Sequence, residues 1–413
     1  MRWTIHLEGG PRRVNHAAVV LSGNVYSFGG YCSGDVQNGM ENIDVHMLDT
    51  ETYRWSKVQH TNEPESEVRS FSIDGQPLEQ LPYQRYGHTV CAYRNEAYLW
   101  GGRNDEFGAS NVIHKFDPVA RRWSLVKTIG SIPPARDGHT AIVVDDKMIV
   151  FGGFEEDMQR FSQETYVYNF LTCRWTEFVT KGDPPTWRDF HTAVEIDDVM
   201  YVFGGRSDHN GQFHSTRDKY DTQLMALNLV TGEWTRPTVS GTAPCGRRSH
   251  SAWSYEGKMY LFGGYLGTKN VHFGDLFCYD PKTSVWTYLR PFGECPAPRR
   301  RQCTVLVGNR VFLFGGTMPN PKACTPILSS IEPQTLNTAA GLADLADLYV
   351  LDYSPSLRQL AMSKVLQLID HDPLILRYRF NSLLPYELRE DMFLMIHPNT
   401  VTTSAQLRNE TSG

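Results

Sequence analysis

The 413-residue chain has no apolar run of the roughly 18 residues that a membrane-spanning helix needs, and Met1–Gly10 holds no apolar signal core. It has no Cys-x-x-Cys pair either: Cys32, Cys91, Cys173, Cys245, Cys278, Cys295, Cys303 and Cys324 are scattered singly. That spacing suits a reducing compartment, cytoplasm and/or nucleus, and argues against zinc. Gly-x-Ser-x-Gly, His-Glu-x-x-His and phosphate-cradling loops are missing, so neither catalysis nor a cofactor nor a metal is expected. An excess of positive charge is missing too. A net charge of −6 argues against a general binder of nucleic acid or anionic membrane, while leaving room for a local basic patch.

What the chain does have is 40% apolar residues, 12% aromatics and a repeat. Gly-Gly pairs at 29–30, 101–102, 152–153, 204–205, 263–264 and 315–316 each follow a short apolar run such as MIVF or MYLF. Thirteen residues before the first Gly stand His16, His88, His139, His191, His250 and Gln302. Three residues earlier stand Arg13, Arg85, Arg136, Arg188, Arg247 and Arg299. Five of the six units end on a Trp: Trp55, Trp123, Trp175, Trp234 and Trp286. Short strands at this spacing, with no helices between them, read as all-β blades. Units of about fifty residues with Gly-Gly and a late Trp resemble kelch repeats, which form β-propellers.

The sixth unit lacks its Trp, because Tyr353-Ser354-Pro355 follows its third strand. Arg2-Trp3-Thr4-Ile5 supplies the missing fourth strand from the other end of the chain. The expectation is therefore a six-bladed propeller over residues 1–353, closed by strands from both ends so that no sheet edge stays open. Residues 59–81, 207–221 and 318–343 exceed the repeat, and the last two wall one face. Beyond it, 354–396 reads as a helical segment in which Leu357, Leu360, Ala361, Val365 and Leu368 recur at helical spacing. Residues 397–413 read as a flexible tail.

The first strand of a propeller blade lies nearest the axis, so the six repeat arginines are expected to ring one mouth. That mouth is polarised: Arg12, Arg248, Arg300 and Arg301 crowd blades 5, 6 and 1, whereas Asp137 and Asp189 follow the arginine in blades 3 and 4. Arginine forks beside aromatics suit a peptide carboxylate.

The stretches RWTIHLEGGPRRVNHA, WRDFH, GRRSHSA and PRRRQC resemble the kelch receptors of cullin-2 RING ubiquitin ligases, which recognise C-terminal glycine degrons. In the segment after the ring, Ser356-Leu357-x-x-x-Ala361-x-x-x-Val365 resembles the box that grips elongin B/C, with Ala361 where Cys is usual. Leu384-Pro385 resembles the cullin-2-selecting segment that follows such boxes. The resemblance implies a non-catalytic substrate receptor with elongin B/C, cullin-2 and glycine-ended proteins as partners. Repeat geometry then offers Arg188, Arg206, Arg247, Arg248, Arg299 and Arg301 for the carboxylate. Tyr31, Arg103, Asp105, Asp137, Asp189 and Ser249 are offered for the residues before it. The chain's own Gly413 reads as a degron mimic able to fill a mouth, on this or another copy. The other reading is a kelch scaffold that holds an acidic, cytoskeletal or chromatin partner with no ligase role.

Overall fold

Repeats 1 to 5 each supply four antiparallel strands that lie in chain order from the axis outward, and the sixth supplies three. The computed structural model describes residues 1–33, 41–62, 81–320, 341–380 and 383–401. Six sheets surround an axis, making a six-bladed β-propeller. Its inner strands are Ala17–Leu21, Tyr86–Tyr93, Thr140–Val144, Thr192–Ile196, Ser251–Tyr255 and Cys303–Val307, and each touches the next round the ring. The second strands, such as Lys147–Phe151, bury side chains on both faces because a neighbouring blade covers each side. This is why they read as unbroken apolar runs rather than alternating ones. The apolar core is accordingly divided among the six seams between blades.

Closure follows the sequence reading. Arg2–Leu7 pairs antiparallel with Leu348–Asp352, setting Trp3 against Leu351 and Ile5 against Val350, with a bulge between them. Trp3 enters the core between blades 5 and 6, while Ile5 and Leu7 enter the core between blades 6 and 1. One strand thus fills two seams.

The repeat signature has a steric cause. The first glycine of five pairs faces the next blade's imidazole, and Gly263 faces the Gln302 carboxamide. A Cβ on Gly101 (φ +71°) would lie 2.4 Å from His139 Cε1 and 2.9 Å from the Arg136 carbonyl. The histidine ring in turn bridges blades. His88 Nε2–H donates to the Phe28 carbonyl at 3.1 Å, and His139 Nε2 lies 2.8 Å from Thr89 Oγ1. In blade 6 Gln302 takes that role, donating to Phe262 O at 3.2 Å.

Two residues after each repeat arginine the backbone turns left-handed, at Asn15, Gly87, Gly138, Phe190, Ser249 and Arg301. Each of these residues donates its N–H to the carbonyl of the one in the preceding blade, over 2.7 to 3.1 Å, and the six bonds close a collar around the axis.

Past the ring stand three short helices, α1 (Leu357–Leu368), α2 (Pro373–Arg379) and α3 (Tyr386–Leu394). Met362, Leu366, Ile369, Leu376, Met392 and Met395 pack them onto blades 6 and 1. Met362 and Leu366 form the docked stripe of α1, with Val365 half-buried beside it, while Leu357, Ala361 and Leu368 stay exposed. One sequence expectation needs correcting here: residues 397–401 are not a free tail, for Asn399 is buried and bonded to the ring. Most of the 59–81 and 318–343 insertions, and the tail with Gly413, lie outside the described residues.

Candidate functional site

Above the collar opens a cavity of about 670 Å³. Tyr31, Arg103, Asp105, Asp137, Asp189, Arg206, Arg248 and Arg301 line it, all of them anticipated from sequence. Asn15, Tyr86, Phe154, Glu156, Gln159, Phe190 and His214 complete the wall. Of these, Asn15 and Phe190 could have been found by their shared offset from the repeat arginine. Gln159 and His214 sit on loops whose course no periodicity reveals.

The six repeat arginines do not line this mouth, and the expectation for Arg188, Arg247 and Arg299 is corrected. Their guanidiniums turn into their own blades and are almost wholly buried. Each donates to the first glycine carbonyl of its blade: Arg188 to Gly204 at 2.7 Å, Arg247 to Gly263 at 3.0 Å and Arg299 to Gly315 at 3.3 Å. An acid completes the shell, with Asp347 on Arg299 at 2.6 and 2.7 Å, Asp275 on Arg247 at 2.5 Å and Asp221 on Arg188 at 3.3 Å. A buried cation lacking such partners would cost several kcal/mol, so these arginines hold the blade together. Ser249 is corrected as well: it belongs to the collar and lines a cavity of about 120 Å³ there, not the mouth.

The mouth's cations that lack an acid beside them come from the next positions along. Arg248 and Arg301 line the cavity, and Arg300 lies beside them over the Tyr265 ring at 4.1 Å. None of the three has a carboxylate partner among the described residues. Burial, with Arg301 and Arg248 adding repulsion, lowers the Arg300 pKa to about 10. Arg301 donates to the Tyr31 hydroxyl, Tyr31 meets Tyr86 edge-on at 5.2 Å, and Tyr86 donates to Asp105 at 2.9 Å.

On the opposite wall the charges are mostly cancelled. Asp189 holds Arg206 through bonds of 3.1 and 2.5 Å, and Glu156 holds Arg103 at 2.9 Å. Arg206 is therefore not an open anion site, nor is Asp189 an open cation site. Asp137 differs. It is 5% exposed, lines the cavity and has no side-chain partner among the described residues. Burial and then the nearby Asp189 charge raise its pKa to about 7. A cavity with unpaired guanidiniums at one end and an unpaired acid at the other suits a ligand whose own charges are reversed.

His6, Glu8 and Asp347 come within 4.8 Å of one another, but Asp347 is committed to Arg299. No described helix is long and apolar enough to cross a membrane.

This geometry is that of a kelch-repeat propeller, a protein-interaction module. The KLHDC2/KLHL20/DRC7 kelch-repeats domain matches residues 87–316 and the kelch motif matches residues 12–61, so the chain belongs to the kelch-repeat family. It is 41% identical over 409 residues to kelch domain-containing protein 3 of Homo sapiens, covering 98% of this chain and 97% of that protein. The Bos taurus counterpart is 40% identical over 408 residues. Host cell factor 2 of Homo sapiens is 29% identical over 256 residues, 58% of this chain and 31% of that protein.

Proposed function

We propose that this chain is the substrate-recognition subunit of a cullin-2 RING ubiquitin ligase and that its mouth captures proteins ending in glycine. The observation that carries the reading is the trio Arg248, Arg300 and Arg301, with Arg300 buried and the other two half-buried, gathered at the mouth without a counter-anion from the described residues. A chain-terminal carboxylate supplies that anion and accepts two guanidinium donors at once. A terminal glycine brings no side chain that would have to fit between the cations and the collar.

The helical appendage fits the second half of this role. Ser356 caps α1 through a capping box with Gln359, presenting Leu357 at 85% exposure one residue later. Leu368, Leu374, Tyr378, Leu383 and Tyr386 also remain exposed although the helices are docked. This second apolar surface is where elongin B/C and cullin-2 would bind, with Leu357, Ala361 and Pro385 outward and Val365 and Leu384 half-buried behind them.

Titrating glycine-ended peptides against C-terminally amidated copies tests the mouth. Amidation is expected to cost about 3 kcal/mol, on the order of 100-fold in Kd, because it leaves the clustered guanidiniums, the buried Arg300 among them, without a counter-charge. Arg301→Ala and Arg248→Ala should cause most of that loss without lowering Tm by more than a few degrees. Equal affinity for both peptides would sink the proposal and favour the scaffold with a general acidic partner.

Asp137 gives a second outcome. Its folded pKa lies above the ordinary carboxylate value, so the folded state holds a proton that the unfolded state releases. The empty ring therefore loses stability as pH rises from about 4 to about 7, by roughly 1.4 kcal/mol per unit at most. Asp137→Asn is expected to raise Tm at pH 8 and leave it unchanged at pH 4. The same variant should weaken peptides with Lys or Arg before the terminal glycine about tenfold and spare those with a neutral residue there. Melting curves at the two pH values and paired titrations check both halves.

A further inference from the structure

In blades 3, 4 and 5 the outer Trp strand is covered by a two-residue parallel strand: Ile129–Gly130, Lys181–Gly182 and Ser240–Gly241. In blade 3, for example, Ile129 N–H donates to Cys173 O at 3.0 Å, one residue before the bridged pair Arg174-Trp175. Blade 6 has the same arrangement in miniature, Phe292 bridging Arg2. In blade 2 an asparagine serves instead: Asn62 Oδ1 accepts from Trp123 N–H and its Nδ2 donates to Trp123 O, each at 2.8 Å.

Blade 1 takes its cover from the far end of the chain. Asn399 Oδ1 accepts from Trp55 N–H at 2.9 Å, and Nδ2 donates to Tyr53 O at 3.2 Å, where Tyr53 corresponds to Cys173 of blade 3. The backbone around it is bonded on its other side to the strap leaving the N-terminal strand: Asn399 N–H to Glu8 O at 2.7 Å and Val401 N–H to Gly9 O at 3.0 Å. Gly9 (φ +80°) permits this approach, since a Cβ there would lie 1.9 Å from Asn399 O. Arg54 adds bonds to His397 O at 3.0 Å and Leu394 O at 3.2 Å, tying the end of α3 to the same strand.

We infer that Asn399 is a positioning residue. Its carboxamide stands in for the missing strand peptide of blade 1 and fixes the helical appendage to the ring at the seam where both chain ends meet. Leu357 and its exposed neighbours are thereby held at a set distance and angle from the mouth. This rests on the proposed function only for its consequence, the delivery of a captured protein to a ligase in one orientation. The clasp itself stands on the bonds.

Hydrogen exchange on the full chain tests it, using Asn399→Ala and, independently, Gly9→Ala, which drives the clasp out while keeping the asparagine. In both variants the amides of Trp55, α1 and α3 are expected to exchange at least tenfold faster, with those of blades 3 and 4 unchanged. Affinity for a free-carboxylate glycine peptide should stay within twofold. Ubiquitin transfer to a glycine-ended substrate in the reconstituted ligase should fall at least fivefold. Asn399→Asp, which keeps the acceptor for Trp55 and turns a carboxylate towards Tyr53 O, should lie between. If α1 and α3 exchange as in the unaltered protein while only Trp55 speeds up, Asn399 is a local cap and the inference is overturned. A general loss of protection that includes blades 3 and 4 overturns it equally. Should the unaltered protein bind neither glycine peptide nor elongin B/C, the functional reading fails, and the exchange result still decides the clasp.

Discussion

Removing residues 1–7 is expected to abolish the cooperative melting of the whole ring, not to fray one blade. Trp3, Ile5 and Leu7 are each 4% exposed or less, and they serve two different seams. Burial of side chains this large is worth about 2–3 kcal/mol apiece, together roughly 6–9 kcal/mol. That is comparable to the whole stability of an ordinary domain, about 5–15 kcal/mol. The deletion also uncovers Leu348–Asp352 as an open strand edge, the template for pairing with another copy. Expected results are a lost near-ultraviolet circular dichroism signal and concentration-dependent aggregation. Trp3→Ala alone should lower stability by about 3–5 kcal/mol. A deletion variant that melts cooperatively within a few degrees of the full chain would show that the N-terminal strand is dispensable to closure.

Acid should unfold the ring at a pH unusually close to neutrality. Burial, reinforced by the neighbouring repeat arginines, lowers His16, His88 and His250 to about 3 and holds His139 and His191 far below their ordinary range. The folded ring thus keeps these imidazoles neutral while the unfolded chain protonates them near pH 6.5. Their contribution is complete above pH 6.5 and is lost as pH falls towards 3. The slope is up to about 1.4 kcal/mol per unit for each histidine, so roughly 2 kcal/mol apiece has gone by pH 5. Asp137 works in the opposite sense, as does His6, which burial lowers but Glu8 and Glu294 raise overall. Two such groups do not offset five, and the midpoint is expected near pH 5, roughly. Blade 6 shows the remedy, because Gln302 makes the interblade bond without titrating. His139→Gln with His191→Gln should therefore lower the acid midpoint by about 0.5–1 unit, read by tryptophan fluorescence. An unchanged midpoint in that double variant would remove the histidines as the cause.

The sequence by itself determined the number of blades, the order of strands within each and the donation of Arg2–Ile5 to the last one. These follow from spacing, since every repeat must bury both faces of its sheet against the next and only a closed ring leaves none exposed. It also carried the polarity of the mouth, in Arg248, Arg300 and Arg301 against Asp137. What only the tertiary structure decided was direction. Arg299 and Arg301 are two residues apart, yet one is sealed against Gly315 and Asp347 while the other faces the cavity. The difference arises from a left-handed backbone turn and from acids far along the chain, as Asp347 is for Arg299, which no local pattern displays. For the same reason Asn399, an unremarked asparagine in an apparent tail, becomes the strand peptide of blade 1: its partners Tyr53 and Trp55 lie more than three hundred residues away and meet it only once the ring is closed.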